Sequence, residues 1–217
     1  MKGRGIILLV VLSLCLSVAA FAADSPAATA PAGATAASAG SATGGTFKPF
    51  KIYTDGKSPD NHYCPSGWMG DFGDLKIDDK CMVNPHSGTT CFKITYTNKA
   101  TQGARWSGIY WQNPPNNWGT RPGGYDLTGA KKLTFWARGD KGGERIEEFK
   151  TGGITGEYAD SDVAGIGPVV LTAEWQQFTI DLEGKDLSSI SGGFAWATNL
   201  DANPDGCIFY LDDLKFE

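Results

Sequence analysis

In the segment 133–139, LTFWARG, the apolar residues at 133, 135 and 137 alternate with Thr, Trp and Arg at 134, 136 and 138. This alternation decides the fold class. Successive side chains of a β-strand point to opposite sides, so a period of two predicts a strand with one buried face. The segments 92–97 (FKITYT) and 177–182 (QFTIDL) carry the same pattern. These three segments predict a sheet protein in which every second residue of a strand is buried.

Turn-forming residues separate further short apolar segments along the chain. Glycine accounts for 29 of the 217 residues, and clusters such as 113–117 (NPPNN) and 203–206 (NPDG) mark tight turns. Additional strands are predicted at 108–112, 145–151, 169–172, 193–197 and 208–216. Eight or so short strands separated by turns are typical of an all-β, antiparallel β-sandwich.

The N-terminal segment differs in composition from the rest of the chain. Residues 1–22 combine two basic residues, an apolar run and an Ala-Phe-Ala ending, which predicts a secretory signal peptide. The apolar run is too short for an uncleaved membrane anchor. Residues 23–46 are rich in Ala, Ser, Thr, Gly and Pro and predict a disordered linker, and 47–217 predict one domain. We therefore expect a secreted protein, extracellular or periplasmic, with no membrane span after cleavage.

Four cysteines remain after the predicted cleavage: Cys64, Cys81, Cys91 and Cys207. An even number in an oxidising compartment predicts one or two disulfides, and three full pairings are possible. Cys64 with Cys81 is favoured because it closes a short loop, and Cys91 with Cys207 would join two strands. A zinc site is disfavoured because the spacings contain no Cys-x-x-Cys pair.

Charge and motif content limit the function classes. The formal net charge is -5, which leaves no basic surface for a phosphate backbone and argues against a nucleic-acid partner. The sequence has two histidines and no Gly-x-Ser-x-Gly, His-Glu-x-x-His or phosphate-binding loop. Paired carboxylates at Glu144, Glu147 and Glu148 keep a glycoside hydrolase or lyase as an alternative. Whether the protein is an enzyme therefore stays open, with binding favoured over catalysis.

Four segments form an ordered set along the second half of the chain: 124–130 (GYDLTGA), 133–139 (LTFWARG), 171–182 (LTAEWQQFTIDL) and 209–214 (FYLDDL). This set resembles segments of carbohydrate-binding modules of bacterial plant-cell-wall hydrolases. They are similar to family 11 carbohydrate-binding modules, which implies a galactose-binding-like jelly roll that binds a polysaccharide or oligosaccharide. The resemblance also implies a structural calcium ion near the last strand, with Asp213 as the favoured ligand and Asp212 as its neighbour.

The strand faces suggest where a sugar would bind. Trp136 and Arg138 lie opposite the buried face of 133–139, and Glu148 and Lys150 lie opposite the buried Phe149. If the two strands pair, an aromatic ring and hydrogen-bonding groups form one patch, as sugar binding requires. The alternative is a tryptophan packed under a loop beside a solvated ion pair.

Other tryptophans are assigned from their surroundings in the sequence. Trp111 and Trp118 flank the 113–117 turn and are expected to line the same cleft, although packing against its prolines is equally compatible. The remaining tryptophans outside the predicted patch are expected to be core or loop anchors: Trp68, Trp106, Trp175 and Trp196.

The sequence favours a secreted, monomeric, non-catalytic carbohydrate-binding protein. Two alternatives stay open, namely a secreted glycoside hydrolase or lyase with paired carboxylates, and a structural or adhesion protein built on the same sandwich.

Overall fold

Alternating apolar residues build two antiparallel sheets that pack face to face in the computed structural model, which describes residues 46–217. The predicted signal peptide and all but the last residue of the predicted linker lie outside the described residues. Within the described part of the chain, the only helical element is a short 3-10 helix at Phe72–Asp74. The predicted all-β sandwich is confirmed, and it is of the jelly-roll type.

Thirteen strands make up the described domain. They are β1 (Phe50–Tyr53), β2 (Cys64–Gly70), β3 (Leu75–Cys81), β4 (Cys91–Tyr96), β5 (Trp106–Gln112), β6 (Lys132–Gly139), β7 (Arg145–Ile146), β8 (Glu148–Gly152), β9 (Val163–Ile166), β10 (Val169–Val170), β11 (Gln176–Asp181), β12 (Gly192–Asn199) and β13 (Cys207–Phe216).

The strands divide into a six-stranded sheet and a five-stranded sheet. The six-stranded sheet has the order β11-β6-β13-β4-β3, with β1 also paired to β13. The five-stranded sheet has the order β2-β5-β12-β8-β9, and β7 pairs with β10 in a small ribbon. No helix of the described residues is both long enough and apolar enough to cross a membrane.

Strand β13 is the longest strand and holds the six-stranded sheet together. One edge pairs with β6, while the other edge pairs with β4 over its first half and with β1 over its last residues. The register shifts between Asp212 and Lys215, and Asp213 has a φ of 49°. This β-bulge inserts one residue, so the core-facing positions pass from Leu211 to Leu214.

Large aromatic side chains join the two sheets across the core. Phe135 of the six-stranded sheet contacts Phe149 and Phe194 of the five-stranded sheet, with ring centroids 4.8 and 5.1 Å apart. Phe92 similarly meets Trp111 at 5.1 Å. The apolar residues of the 133–139 segment are buried, as predicted.

The predicted sugar-binding patch required the 132–138 and 145–151 strands to pair, and they do not. Strand β6 pairs with β11 and β13, whereas β8 pairs with β12 and β9 in the other sheet. The chain crosses from one sheet to the other between them. Trp136 and Glu148 therefore belong to different sheets and cannot form one patch.

The favoured Cys64–Cys81 disulfide and the alternative Cys91–Cys207 disulfide are both wrong for this fold because of where the four cysteines lie, and all four are thiols in the structure. Cys207 lies opposite Tyr96, five residues along β4 from Cys91. At ~3.4 Å per residue this is ~17 Å, too far for a disulfide. Cys64 belongs to the five-stranded sheet, while Cys81 belongs to the six-stranded sheet and has Cys91 as its cross-strand partner.

We predict that Phe135→Ala lowers the free energy of unfolding by about 3–5 kcal/mol, because it removes the ring that joins the two sheets and leaves a cavity. Urea unfolding followed by tryptophan fluorescence measures this change. Thr179→Ala, at an exposed position of β11, is the control and should cost less than about 1 kcal/mol. A loss below about 1 kcal/mol for Phe135→Ala would contradict the described core.

Candidate functional site

Each sheet has one face against the core and one outward face, so the molecule has two outward faces on which a site can form. The predicted residues divide between them. Trp136 and Arg138 lie on the outward side of the six-stranded sheet, and Glu148 and Lys150 on that of the five-stranded sheet. Trp111 is fully buried between the sheets, and its predicted place in a binding cleft is therefore wrong.

A loop at Met82–Thr90, here called the covering loop, lies across the outward face of the six-stranded sheet. The His86 ring stacks on Trp136 with the centroids 3.7 Å apart and the planes at 17°. Trp175 Nε1 donates a hydrogen bond of 2.9 Å to the Asn84 carbonyl oxygen. Trp136 is thus packed under a loop, and one face of its ring is occupied by a side chain of the protein itself.

Arg138 is held by aromatic rings rather than presented to solvent. It is 6% exposed, and its guanidinium carbon lies 3.7 Å from the Tyr210 ring centroid and 5.2 Å from that of Trp175. One guanidinium nitrogen also donates to the Val83 carbonyl oxygen at 3.3 Å. These contacts make Arg138 a structural link between the sheet and the covering loop.

Asp212 and Asp213 bind the covering loop from below. The Asp212 carboxylate accepts hydrogen bonds from the backbone N–H groups of His86, Ser87 and Asp213 at 2.9, 3.3 and 2.9 Å. Asp213 Oδ2 lies 2.7 Å from His86 Nδ1, and its Oδ1 accepts from the Ser87 hydroxyl at 2.9 Å. The bulge at Asp213 turns this second carboxylate toward the loop.

This arrangement of Asp212 and Asp213 does not fit a calcium ion. All four carboxylate oxygens already have a partner, and no cluster of three or more His, Cys, Asp or Glu suited to a metal occurs in residues 46–217. Calcium needs six or more oxygen ligands. A calcium site at Asp213 stays a prediction from the resemblance, and it would require the covering loop to release the carboxylate.

The outward face of the five-stranded sheet has a floor of small residues. The strand register places Ala197 between Gly108 and Glu148, and places Ala195 between Tyr110 and Lys150. A Cβ atom at Gly108 would lie 2.5 Å from the Trp196 carbonyl oxygen and 3.2 Å from the Ala197 Cβ. The Met69 Cε atom would lie 3.0 Å from the same Cβ, so no larger residue fits at Gly108 and the Met69 side chain covers it.

Aromatic rings stand at both ends of this floor. Trp106 lies on the same side of β5 as Gly108 and Tyr110, by the period of two, and is 40% exposed. Trp118 is 41% exposed, and its ring meets Tyr110 edge to face at 5.8 Å. Tyr110 is itself buried and supports Trp118 from beneath.

Two loops hold Trp118 in place. The Tyr158 N–H donates to the Gly119 carbonyl oxygen at 2.9 Å, which joins the loop after β5 to the loop after β8. Tyr158 is also partly exposed, at 38%. The exposed aromatic side chain of Trp118 is therefore fixed at its backbone rather than carried on a free segment.

Polar groups lie beside these rings. Lys150 Nζ lies 3.0 Å from Glu148 Oε2 and 5.4 Å from the Tyr110 ring centroid. Burial opposes the charged form of Lys150, but Tyr110 and Glu148 outweigh it, so the pKa of Lys150 is raised. Burial raises the pKa of Tyr110, whose hydroxyl donates to the Gly152 carbonyl oxygen at 3.1 Å. Lys150 is therefore a cationic hydrogen-bond donor at neutral pH, and the Glu148 carboxyl group lies beside it.

We define the open face by five residues: Trp106, Ala197, Glu148, Lys150 and Trp118. Three of these were predicted to bind a ligand, and the structure brings them to one surface without Trp136, Arg138 or Trp111. Trp106 was instead expected to be an anchor. The alternation along β5, which puts 106, 108 and 110 on one side, was the sequence signal that would have found it.

The fold and the open face define a β-sandwich of the kind seen in carbohydrate-binding modules. The structure is similar to a family 30 carbohydrate-binding module at 16% identity, with a TM-score of 0.54, covering 79% of this chain and 89% of that chain. It is also similar to the family 30 module of the cellulosomal cellulase Cel9D-Cel44B of Clostridium thermocellum, at 17% identity and a TM-score of 0.52, covering 78% and 97%.

A family 11 carbohydrate-binding module of the cellulosomal cellulase Lic26A-Cel5E of Clostridium thermocellum is also similar, at 13% identity and a TM-score of 0.47, covering 76% and 93%. No protein-family model and no curated protein matches the sequence. The expected resemblance to carbohydrate-binding modules is confirmed, and at these identities it is a likeness of fold.

We predict that Asp212 makes the stability of the protein depend on pH. Burial, aided by the charge of Asp213, raises the pKa of Asp212 to about 7, from an ordinary value near 3.8. A raised carboxyl pKa favours the folded state most below about pH 4, and this contribution is lost as the pH rises through about 7. The loss is at most about 1.4 kcal/mol per pH unit.

The measurement is urea unfolding at several pH values for wild type and Asp212→Asn. Between about pH 5 and pH 7 the wild type should lose stability relative to the variant, because the variant cannot ionise. Asp205→Asn, at an exposed aspartate, should follow the wild type. Parallel curves for wild type and Asp212→Asn would show that Asp212 does not titrate in this range.

Proposed function

We propose that this protein binds a polysaccharide chain on its open face without cleaving it. The observation that carries the proposal is the pair of exposed tryptophans, Trp106 and Trp118, at the two ends of a floor of glycine and alanine. Trp106 lies four residues from Tyr110 along β5, or ~13 Å, and Trp118 rests on Tyr110. A surface of this length suits an extended chain better than a single sugar.

The chemistry of the open face matches that of a sugar. The C–H side of a sugar ring packs on an indole face, which supplies a flat apolar area at little entropic cost. Lys150 donates hydrogen bonds and Glu148 accepts them, as sugar hydroxyls require. Gly108 and Ala197 place no large side chain of their own between the two tryptophans, and the Met69 side chain packs over Gly108 as apolar floor.

Similar structures support this proposal through their fold. Two of the proteins described above are family 30 carbohydrate-binding modules, and the chain covers 89% and 97% of them. Carbohydrate binding is thus a property of proteins that share this sandwich. We extend it to this chain because the open face supplies aromatic and polar groups of its own.

The position of the acidic residues favours binding over hydrolysis. Glu147 is paired with Arg145 Nε at 2.6 Å, and Glu148 is paired with Lys150. Glu144 is buried and accepts from the Lys141 N–H at 2.8 Å. A glycoside hydrolase needs one carboxylic acid and one carboxylate facing each other across a substrate. The hydrolase alternative rests on these three residues, and their separate engagements count against it.

The proposed setting is outside the cytoplasm, with the domain acting as a monomer. The proposal of export rests on the signal-like pattern of residues 1–22, and the Ala-, Ser- and Thr-rich stretch 23–46 would give the domain reach on a tether. A binding domain on such a tether suits a role in holding a surface or a partner near a polysaccharide.

We predict that Trp118→Ala and Trp106→Ala each weaken polysaccharide binding about 5- to 30-fold, or ~1–2 kcal/mol, because each removes a stacking platform. Affinity electrophoresis against a panel of soluble plant polysaccharides first identifies a ligand, and calorimetry then measures the dissociation constants. Melting temperatures should stay close to that of wild type, since both rings are partly exposed.

Trp136→Ala is the matched control, because Trp136 lies on the covered face. Its affinity should equal that of wild type. Unchanged affinity for both open-face variants would contradict a site on the open face. A loss for Trp136→Ala alone would indicate a site on the six-stranded sheet instead. Release of reducing sugar from the bound polysaccharide would favour the hydrolase alternative.

A further inference from the structure

Cys81 and Cys91 stand at the two ends of the covering loop. They are direct cross-strand partners on β3 and β4. Directly opposed residues of antiparallel strands have Cα atoms ~4.5–5.5 Å apart, within the ~4.4–6.8 Å that a disulfide requires. Cys91 Sγ lies 3.6 Å from the Cys81 carbonyl oxygen, and both side chains belong to one small buried cluster with Tyr210.

We propose that Cys81 and Cys91 form a disulfide in the exported protein and thereby close the base of the covering loop. The geometry favours this pair alone among the four cysteines of residues 46–217. Cys207 lies five residues along β4 from Cys91, opposite Tyr96, and Cys64 lies in the other sheet. Cys64 and Cys207 remain thiols.

Cys81 and Cys91 are oxidised by thiol–disulfide exchange with a disulfide oxidant, such as a protein disulfide or glutathione disulfide. The thiolate of one cysteine attacks the oxidant and forms a mixed disulfide, and the second thiolate displaces the oxidant sulfur. The two cysteines lose two protons and two electrons, and the oxidant is reduced to two thiols. One Cys81–Cys91 bond is formed, and one oxidant disulfide is broken.

The burial of this pair sets when the exchange takes place. Both side chains are at most 4% exposed, and burial raises the pKa of the Cys91 thiol to about 12. A buried thiol that stays protonated reacts slowly, because the thiolate is the attacking species. Oxidation therefore takes place during folding, before the covering loop packs on the sheet, and the finished bond is shielded from reductants.

The bond would act on the segment that closes the face of the six-stranded sheet. Between the two cysteines lie Val83, Asn84, His86 and Ser87, which bind Arg138, Trp175, Trp136 and the two aspartates of β13. A closed ring of 11 residues loses less conformational entropy on folding than an open segment does. The open face lies on the other sheet, so this bridge is independent of the proposed polysaccharide binding.

Mass spectrometry tests the pairing directly on the full chain refolded in a glutathione redox buffer. Trypsin cleaves after Lys80 and Lys93, so both cysteines fall in the single peptide 81–93 (CMVNPHSGTTCFK). After alkylation without reduction, we expect this peptide to be unalkylated and two hydrogen atoms lighter than the dithiol form. Alkylation of both cysteines in it, or a bond from either one to Cys64 or Cys207, would overturn the proposal.

Melting curves of the oxidised protein, and of protein reduced with dithiothreitol in denaturant and then refolded with the reductant, test its effect. Reduction should lower the melting temperature of wild type and of the control Cys64→Ser by roughly 5–10 °C, as expected for a short closed loop in a domain of this size. The double variant Cys81→Ala/Cys91→Ala should not respond to the reductant. An equal fall in the double variant would overturn the assignment, and if that variant does not fold, the peptide mass of wild type still decides.

Discussion

The structure depends on one constraint: each strand of a two-layer sandwich has one side that packs in the core and one side that faces outward. Packing Phe135 against Phe149 and Phe194 joins the layers and leaves every intervening residue pointing outward. The molecule therefore has two outward faces, and they differ in whether another segment of the chain covers them. The covering loop packs on the face of the six-stranded sheet, where His86 stacks on Trp136. On the five-stranded sheet, no aromatic ring of the described residues stacks on Trp106, which is partly exposed. The open face of the five-stranded sheet is therefore the outward face on which a ligand can bind.

The fold class could be predicted from the sequence because alternation is a local property. Every second residue of 133–139 is buried, and the turn clusters separate the strands, so sequence and structure agree within each strand. Which strands become neighbours is a long-range property that alternation does not contain. β6 and β8 follow each other closely in the chain, yet they lie in different sheets because the connection between them crosses the sandwich. Because of this crossing, Trp136 and Arg138 lie on one sheet and Glu148 and Lys150 lie on the other.

The two aspartates of β13 show how a bulge in a strand can bring two carboxylates to one loop. The core residues Phe209 and Leu211 are two apart, as are Leu214 and Phe216, but Leu211 and Leu214 are three apart. This irregular spacing marks the bulge and could have been found in the sequence. The acidic residues at the bulge are explained by the loop above them, whose N–H and hydroxyl groups need acceptors. In this structure the carboxylates of Asp212 and Asp213 serve as acceptors for the covering loop.

The covered and open faces carry the same kinds of side chain, and composition alone cannot tell them apart. Trp136 has Arg138 and Asp212 nearby, and Trp118 has Lys150 and Glu148 nearby. The difference lies in what contacts the ring: His86 stacks on Trp136 at 3.7 Å, in the position that a sugar would need, while Trp118 meets Tyr110 edge to face at 5.8 Å and is 41% exposed. The stacked His86 ring occupies one face of Trp136, whereas the exposure of Trp118 leaves part of its indole accessible to a ligand. A tryptophan among polar groups therefore indicates a binding site only where no other segment of the chain has already stacked on it.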